Sequence, residues 1–194
     1  MNQKKRIVCF CGHSGSGKTA IAELLCAKYP KLFAKLITTT TREPRYNETN
    51  GIDYYFVSPI VYEGLNLIAK AEVANAQYGM DVNRIQDILD DKKYPLIVCT
   101  KDGAQELMEK YADTDIEVYV VAILAEKETC IMRMAERGDT QENIEKRLKR
   151  DATIEYDQIE DYKMASGVIF CNNNIGIGLN DVVDFLKETL VESQ

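Results

Sequence analysis

Apolar and polar positions along the chain fall into blocks with two different periods. Arg6–Cys11 (RIVCFC), Leu96–Thr100 (LIVCT), Ile116–Leu124 (IEVYVVAIL) and Val168–Cys171 (VIFC) are almost continuously apolar. Strands buried on both faces have this pattern. Lys35–Thr40 (KLITTT) and Tyr54–Val57 (YYFV) are shorter runs of β-favouring residues. Between the runs the spacing predicts helices over Ala20–Tyr29, Asp102–Tyr111, Glu126–Arg137, Asn143–Tyr162 and Leu179–Leu190. The last of these places Leu179, Val182, Val183, Leu186 and Leu190 on one stripe. Strands that alternate with helices imply βαβ units, hence a parallel sheet covered on both faces and a three-layer α/β fold. Two polar, turn-forming stretches interrupt the alternation. They are Thr41–Asp53, with Pro44 and Gly51, and Glu136–Glu142, with Gly138. No internal repeat or low-complexity segment occurs.

The junction after the first strand carries the sharpest chemical signal. Gly12-His13-Ser14-Gly15-Ser16-Gly17-Lys18-Thr19 matches G-x-x-x-x-G-K-[ST] in full, between an apolar strand and the helix AIAELLCAKY. Glycines let successive backbone N–H groups turn inward around phosphate oxygens, and the helix N-terminus adds its positive dipole end. Lys18 is then placed for the β- and γ-phosphates of a nucleotide, and the Thr19 hydroxyl for magnesium. His13 occupies a variable position of the loop, where a backbone role is favoured over catalysis.

Composition narrows the partners. The chain has 194 residues, 45% apolar and 28% charged, enough for one folded domain over residues 1–194 and unlike a disordered chain. Lys and Arg number 24 against 31 Asp and Glu, a net charge of −7. This balance argues against nucleic acid or an acidic membrane surface as partner. An anionic ligand therefore needs a local cluster of cations. Of eight arginines, only Arg6 and Arg84 lie away from the two interruptions and their flanks. Arg133 and Arg137 share one helical face by spacing, and Arg147 and Arg150 another. Six cysteines without a C-x-x-C, and a single histidine, make a zinc site unexpected. The start, MNQKKRIVCFCGHSG, is not a signal peptide, and no apolar run reaches the ~18 residues of a membrane span. A reduced, cytoplasmic protein is expected.

At Thr38–Ser58 the chain reads TTTTREPRYNETNGIDYYFVS, which resembles the acceptor-binding segment of the guanylate kinase family. The resemblance continues at Gln77-Tyr78-Gly79, at Arg133 and Arg137-Gly138, at Ile144–Leu148 (IEKRL), and at Asn172 after VIFC. It thus runs through nearly the whole chain in order. It implies a P-loop nucleoside monophosphate kinase with an acceptor-binding region near 38–80 and a short lid near 136–147. The implied reaction moves the γ-phosphoryl group of ATP to a nucleoside monophosphate, nominally GMP. By the same resemblance Thr38, Arg42, Arg45, Tyr54 and Tyr78 hold the acceptor. Gly12 through Thr19, with Arg133 and Asn172, hold ATP. Lys18, Arg42, Arg137 and Arg147 supply catalytic charge, and Thr19 ligates magnesium. Tyr55 is read as strand core instead. Arginine forks suit a phosphate dianion independently of any family, because they hydrogen-bond it bidentately.

The pattern also departs from the family. The glutamate and serine that read guanine align with Ala69 and Met80, and a pair of strand aspartates aligns with Val98 and Thr100. Weak discrimination among acceptor bases is therefore expected. Thr38 can keep a hydroxyl role, Glu72 is a displaced candidate for reading guanine, and Asp102 is the candidate replacement ligand for magnesium. Two alternatives stay open. One is a kinase for another phosphomonoester, as in guanylate-kinase-like ribose bisphosphate phosphokinases. The other is a non-enzymatic guanylate-kinase-like binding module, which the intact Gly17-Lys18-Thr19 disfavours.

Overall fold

The computed structural model describes residues 5–46, 48–73, 75–151, 164–171, 180–184 and 186. Five parallel strands form the main sheet: β1 (Lys5–Cys11), β2 (Phe33–Lys35), β7 (Tyr94–Val98), β8 (Ile116–Leu124) and β9 (Gly167–Phe170), in the order β2-β7-β1-β8-β9. Side chains along β1 alternate between two cores, as the two-residue period of a strand requires. Ile7, Cys9 and Cys11 pack under helices α3 (Val82–Asp90) and α4 (Lys101–Tyr111). Val8 and Phe10 pack with Ile21, Ala22 and Leu25 of α1 (Lys18–Lys28) and with Val182, Val183 and Leu186. The expected three layers follow directly. Residues 180–184 and 186 are helical, with the apolar stripe turned inward at 182, 183 and 186. The six cysteines are free. Burial pushes the Cys11 thiol up to about 12 and Cys130 to about 11, so both behave as small apolar groups.

A second sheet, order β4-β3-β6-β5, is set beside the first and was only half legible in the sequence. The KLITTT run is not one strand. Phe33–Lys35 joins the main sheet as β2, and Thr39–Thr40 forms β3 of the smaller one. β3 pairs in parallel with β4 (Tyr55–Phe56) and antiparallel with β6 (Ala76–Asp81), which pairs with β5 (Leu67–Val73). This hairpin, LIAKAEV and AQYGMD, was not predicted, because its alanines and charges lack strand propensity. Short α2 (Pro59–Glu63) and α3 were missed as well. The signal for α3 was present: Asp81 caps it by accepting the Asn83 N–H at 2.9 Å, and Ile85 and Leu89 share its buried face.

Strand β7 begins and ends two residues earlier than LIVCT suggested. Thr100 has left the sheet to cap α4, its Oγ1 accepting the Gly103 N–H at 3.2 Å. Helices α5 (Lys127–Glu136) and α6 (Gln141–Asp151) follow β8, joined by the turn around Gly138. The predicted continuation of the last of these toward Tyr162 lies outside the described residues, and so does Asn172. Among the described residues no helix is long and apolar enough to cross a membrane. The chain reverses direction across the sheet beside β1, so the carboxyl end of β1 opens into the crevice where ligands of open α/β sheets bind.

Candidate active site

The loop between β1 and α1 is shaped by backbone that only glycine adopts easily. Gly12 has φ +135°, and a Cβ there would fall on the Ile123 carbonyl oxygen. Gly15 has φ +82°, and its Cβ would meet the Cys130 carbonyl at 2.5 Å. The loop is therefore clasped between the ends of β8 and α5. Lys18 folds back over it, its Nζ donating to Gly12 O at 2.8 Å and to His13 O. It is half-buried in the loop, not solvent-facing as a surface lysine would be. Burial pushes its ammonium down to about 8, with the Asp151 carboxylate opposing. His13 is buried and contributes its carbonyl to Lys18 and to the Ser16 N–H. Ser16 is fully buried behind the loop, while Thr19 is exposed on the wall of a cavity of about 790 Å³.

Cations from α5 and α6 line the far wall of this cavity. Arg133 donates to Ser16 O at 3.2 Å, and Arg137, Arg147 and Arg150 complete the wall. Arg137, Arg147 and Arg150 are accompanied by the carboxylates of Asp139 and Asp151, and nothing in the sequence marks Asp139 for that place. Arg137 and Arg147 converge on Asp139, the latter at 3.4 Å. Arg137 foremost, then Arg147 and Arg45, hold the Asp139 carboxyl below its ordinary range. Burial and the neighbouring Arg137 lower the Arg147 guanidinium from its ordinary value. Asp151 accepts the Ser14 N–H at 2.7 Å, and Arg150 bridges Asp151 and the Ser14 hydroxyl at 3.2 and 2.9 Å. Burial opposes ionisation of Asp151, but these bonds outweigh it and keep its carboxyl low.

The remaining candidate residues form a separate cluster on the second sheet. Arg42 donates from Nε to the Tyr78 hydroxyl at 3.2 Å, from Nη1 to Glu43 O and from Nη2 to Glu48 at 2.8 Å. Its guanidinium carbon lies 5.4 Å from the Tyr54 ring centre and 5.6 Å from that of Phe56. Tyr54 and Tyr78 meet edge to face at 6.0 Å. Arg45 is exposed, and Thr38 is half-buried with its carbonyl accepting the Tyr55 N–H. None of these five lines the loop cavity, but the two clusters lie near enough to interact electrostatically. Arg45 acts on Asp139, and Tyr54 acts on Arg147. Tyr55 lies instead under Arg84, 3.4 Å from the guanidinium carbon to its ring centre.

None of the four departing positions carries a carboxylate. Ala69 has φ +51° at an irregularity of β5, with its Cβ turned toward α4, where it would meet a Cβ on Gly103 at 3.1 Å. Met80 is 5% exposed, Val98 lines the cavity, and the Thr100 hydroxyl is engaged in its cap. Glu72 is exposed on the hairpin, opposite Gln77. Asp102 is exposed in the first turn of α4, where it complements the helix dipole, and does not line the cavity. Among the described residues no cluster of three metal-ligating side chains occurs.

A glycine-built loop with a half-buried lysine, at the carboxyl end of a parallel sheet and ringed by arginines, defines a P-loop phosphotransferase. A family model described as guanylate kinase matches residues 4–189. A guanylate kinase of Clostridium perfringens is 26% identical over 208 aligned positions, covering 100% of this chain and 92% of that protein. One from Anaplasma phagocytophilum is 31% identical over 153, covering 77% and 72%. The crystal structure of guanylate kinase from Anaplasma phagocytophilum superposes with TM-score 0.67 at 21% identity, over 98% of this chain and 88% of that one. The chain belongs to the guanylate kinase family, whose members are nucleoside monophosphate kinases.

Proposed function

We propose that the protein transfers the γ-phosphoryl group of ATP to the phosphate of a nucleoside monophosphate, nominally converting GMP to GDP. The observation that carries this reading is the presence of two cationic clusters suited to phosphate: the loop with Lys18, and Arg42 with Tyr54 and Tyr78. The relatives matched over most of the chain bear the name guanylate kinase, which supports GMP as the nominal acceptor. In this reading the chain is one domain over residues 1–194, with residues 38–80 holding the acceptor and 136–147 acting as lid. Its free thiols suit the reducing cytoplasm.

The acceptor oxygen is already anionic, so the reaction needs no general base. Its obstacle is the approach of two anions in line, and positioning with charge neutralisation lowers that barrier. Gly12 through Gly17 turn their backbone toward the β- and γ-phosphates, and Lys18 exchanges its loop carbonyls for phosphate oxygens. Arg42, Arg45, Tyr54 and Tyr78 grip the acceptor phosphate. Arg137 and Arg147 come from the lid side toward the group in flight, releasing Asp139, and the closed lid excludes water. Magnesium fits here because it takes few protein ligands beside phosphate and water, and Thr19 is exposed on the cavity wall. When bound it neutralises phosphate charge. Arg133, which donates to Ser16 O of the loop, holds ATP in this reading.

The apolar residues Ala69, Met80 and Val98, where the family carries polar readers, favour one second reading: the phosphate half of the acceptor site is built, but a different phosphomonoester is preferred. Coupled ADP release with ATP and magnesium, across nucleoside monophosphates and sugar phosphates, separates the two. Turnover on GMP above all sugar phosphates supports the first. Turnover confined to a sugar phosphate replaces it.

A further inference from the structure

Arg42 uses three of its five N–H groups within the protein, and Glu48 takes the one that fixes its distal end. The two side chains are mostly covered, 20% and 13% exposed, and their Nη2–Oε1 distance is 2.8 Å. The other carboxylate oxygen of Glu48 accepts the Arg45 N–H at 2.8 Å, while the Glu48 N–H returns a bond to Arg45 O. One carboxylate therefore closes the turn that carries both candidate phosphate arginines. With Nε on Tyr78, Nη1 on the Glu43 carbonyl and two rings against its plane, the guanidinium is held from every side. One N–H on each terminal nitrogen remains for a ligand, the number a bidentate phosphate contact takes.

We propose that Glu48 is a positioning residue for the acceptor phosphate: it acts through Arg42, aiming the two remaining N–H groups, and does not touch the substrate. This rests on the acceptor site proposed above. A glutamine cannot replace it, because an amide accepts through oxygen alone and turns its NH₂ group toward one of the two donors. The opposite role is that of an internal stand-in for phosphate, displaced when the acceptor binds. It predicts an effect of opposite sign.

The test is a double-mutant cycle with Glu48→Gln and Arg42→Ala, measured by ADP release with ATP, magnesium and two monophosphates that differ in base. Glu48→Gln is expected to raise acceptor KM roughly tenfold or more, by a similar factor for both bases, since misaimed positioning groups are costly. The KM for ATP stays unchanged, which also shows that the variant is folded. In the Arg42→Ala background Glu48→Gln has no further effect. The proposal is overturned if Glu48→Gln lowers or leaves the acceptor KM, shifts ATP KM equally, or keeps its full effect without Arg42. Wild-type protein that turns over no monophosphate would instead remove the acceptor reading itself.

Discussion

Replacing Lys18 with methionine keeps the aliphatic stem and removes only the ammonium. In the structure that ammonium donates to Gly12 O at 2.8 Å and to His13 O, within a loop that has no room to rearrange at Gly12 or Gly15. Loss of one preorganised donor aimed at developing charge costs about 3–4 kcal/mol, or roughly 10²- to 10³-fold in kcat. Stability moves far less, because two effects oppose. Burial has pulled the ammonium from 10.5 to about 8. At about 1.4 kcal/mol per unit, the charged form is disfavoured in the fold by up to about 3 kcal/mol. Methionine removes that penalty and forfeits two hydrogen bonds of about 1 kcal/mol each. Lys18→Met is therefore expected to unfold in denaturant within about 1–2 kcal/mol of wild type while losing nearly all ADP release. Turnover near wild type, or a loss that merely tracks unfolding, would show that the Lys18 ammonium does not act on the transferred group.

Arg42→Ala should raise KM for every monophosphate by a similar factor, and a strong change in the GMP-to-AMP ratio would show that Arg42 reaches the base. The Glu48 carboxyl is held below its ordinary 4.5, chiefly by Arg42. Its contribution to stability is complete above that value and is lost as pH falls through the lowered one. The Tm gap between wild type and Glu48→Gln should accordingly stay constant down to about pH 5 and close below the ordinary carboxylate range. A gap that closes already between pH 7 and 6 contradicts this. Ala69→Glu with Met80→Ser should increase kcat/KM for GMP against AMP, at a stability cost of about 2–5 kcal/mol from the emptied Met80 site and the crowding against α4. Glu72→Gln, on the exposed hairpin, should be nearly silent, and loss of GMP preference in that variant would assign guanine reading to Glu72.

The sequence made the main sheet legible because its strands are buried on both faces, so RIVCFC or IEVYVVAIL needs no partner to be recognised. The second sheet is built from two-residue strands and from a hairpin rich in Ala, Lys and Glu, whose pairing is decided by tertiary contact. Cations of the site were equally readable, since eight arginines in an acidic chain concentrate in few segments. The carboxylates Glu48 and Asp139 were not: they look like solvated turn residues until the fold sets them against Arg42 and Arg137. For Glu48 a signal did exist, the three-residue spacing of Arg42, Arg45 and Glu48 within a turn.

Transfer of a phosphoryl group from ATP to a monophosphate is read out by steady-state ADP release with ATP, magnesium and GMP, AMP, CMP, UMP or a sugar phosphate. Saturable turnover is expected with at least one nucleoside monophosphate, GMP nominally the best, and its loss in Lys18→Met. Saturable release with none of the nucleoside monophosphates, from protein that still binds ATP, contradicts that transfer.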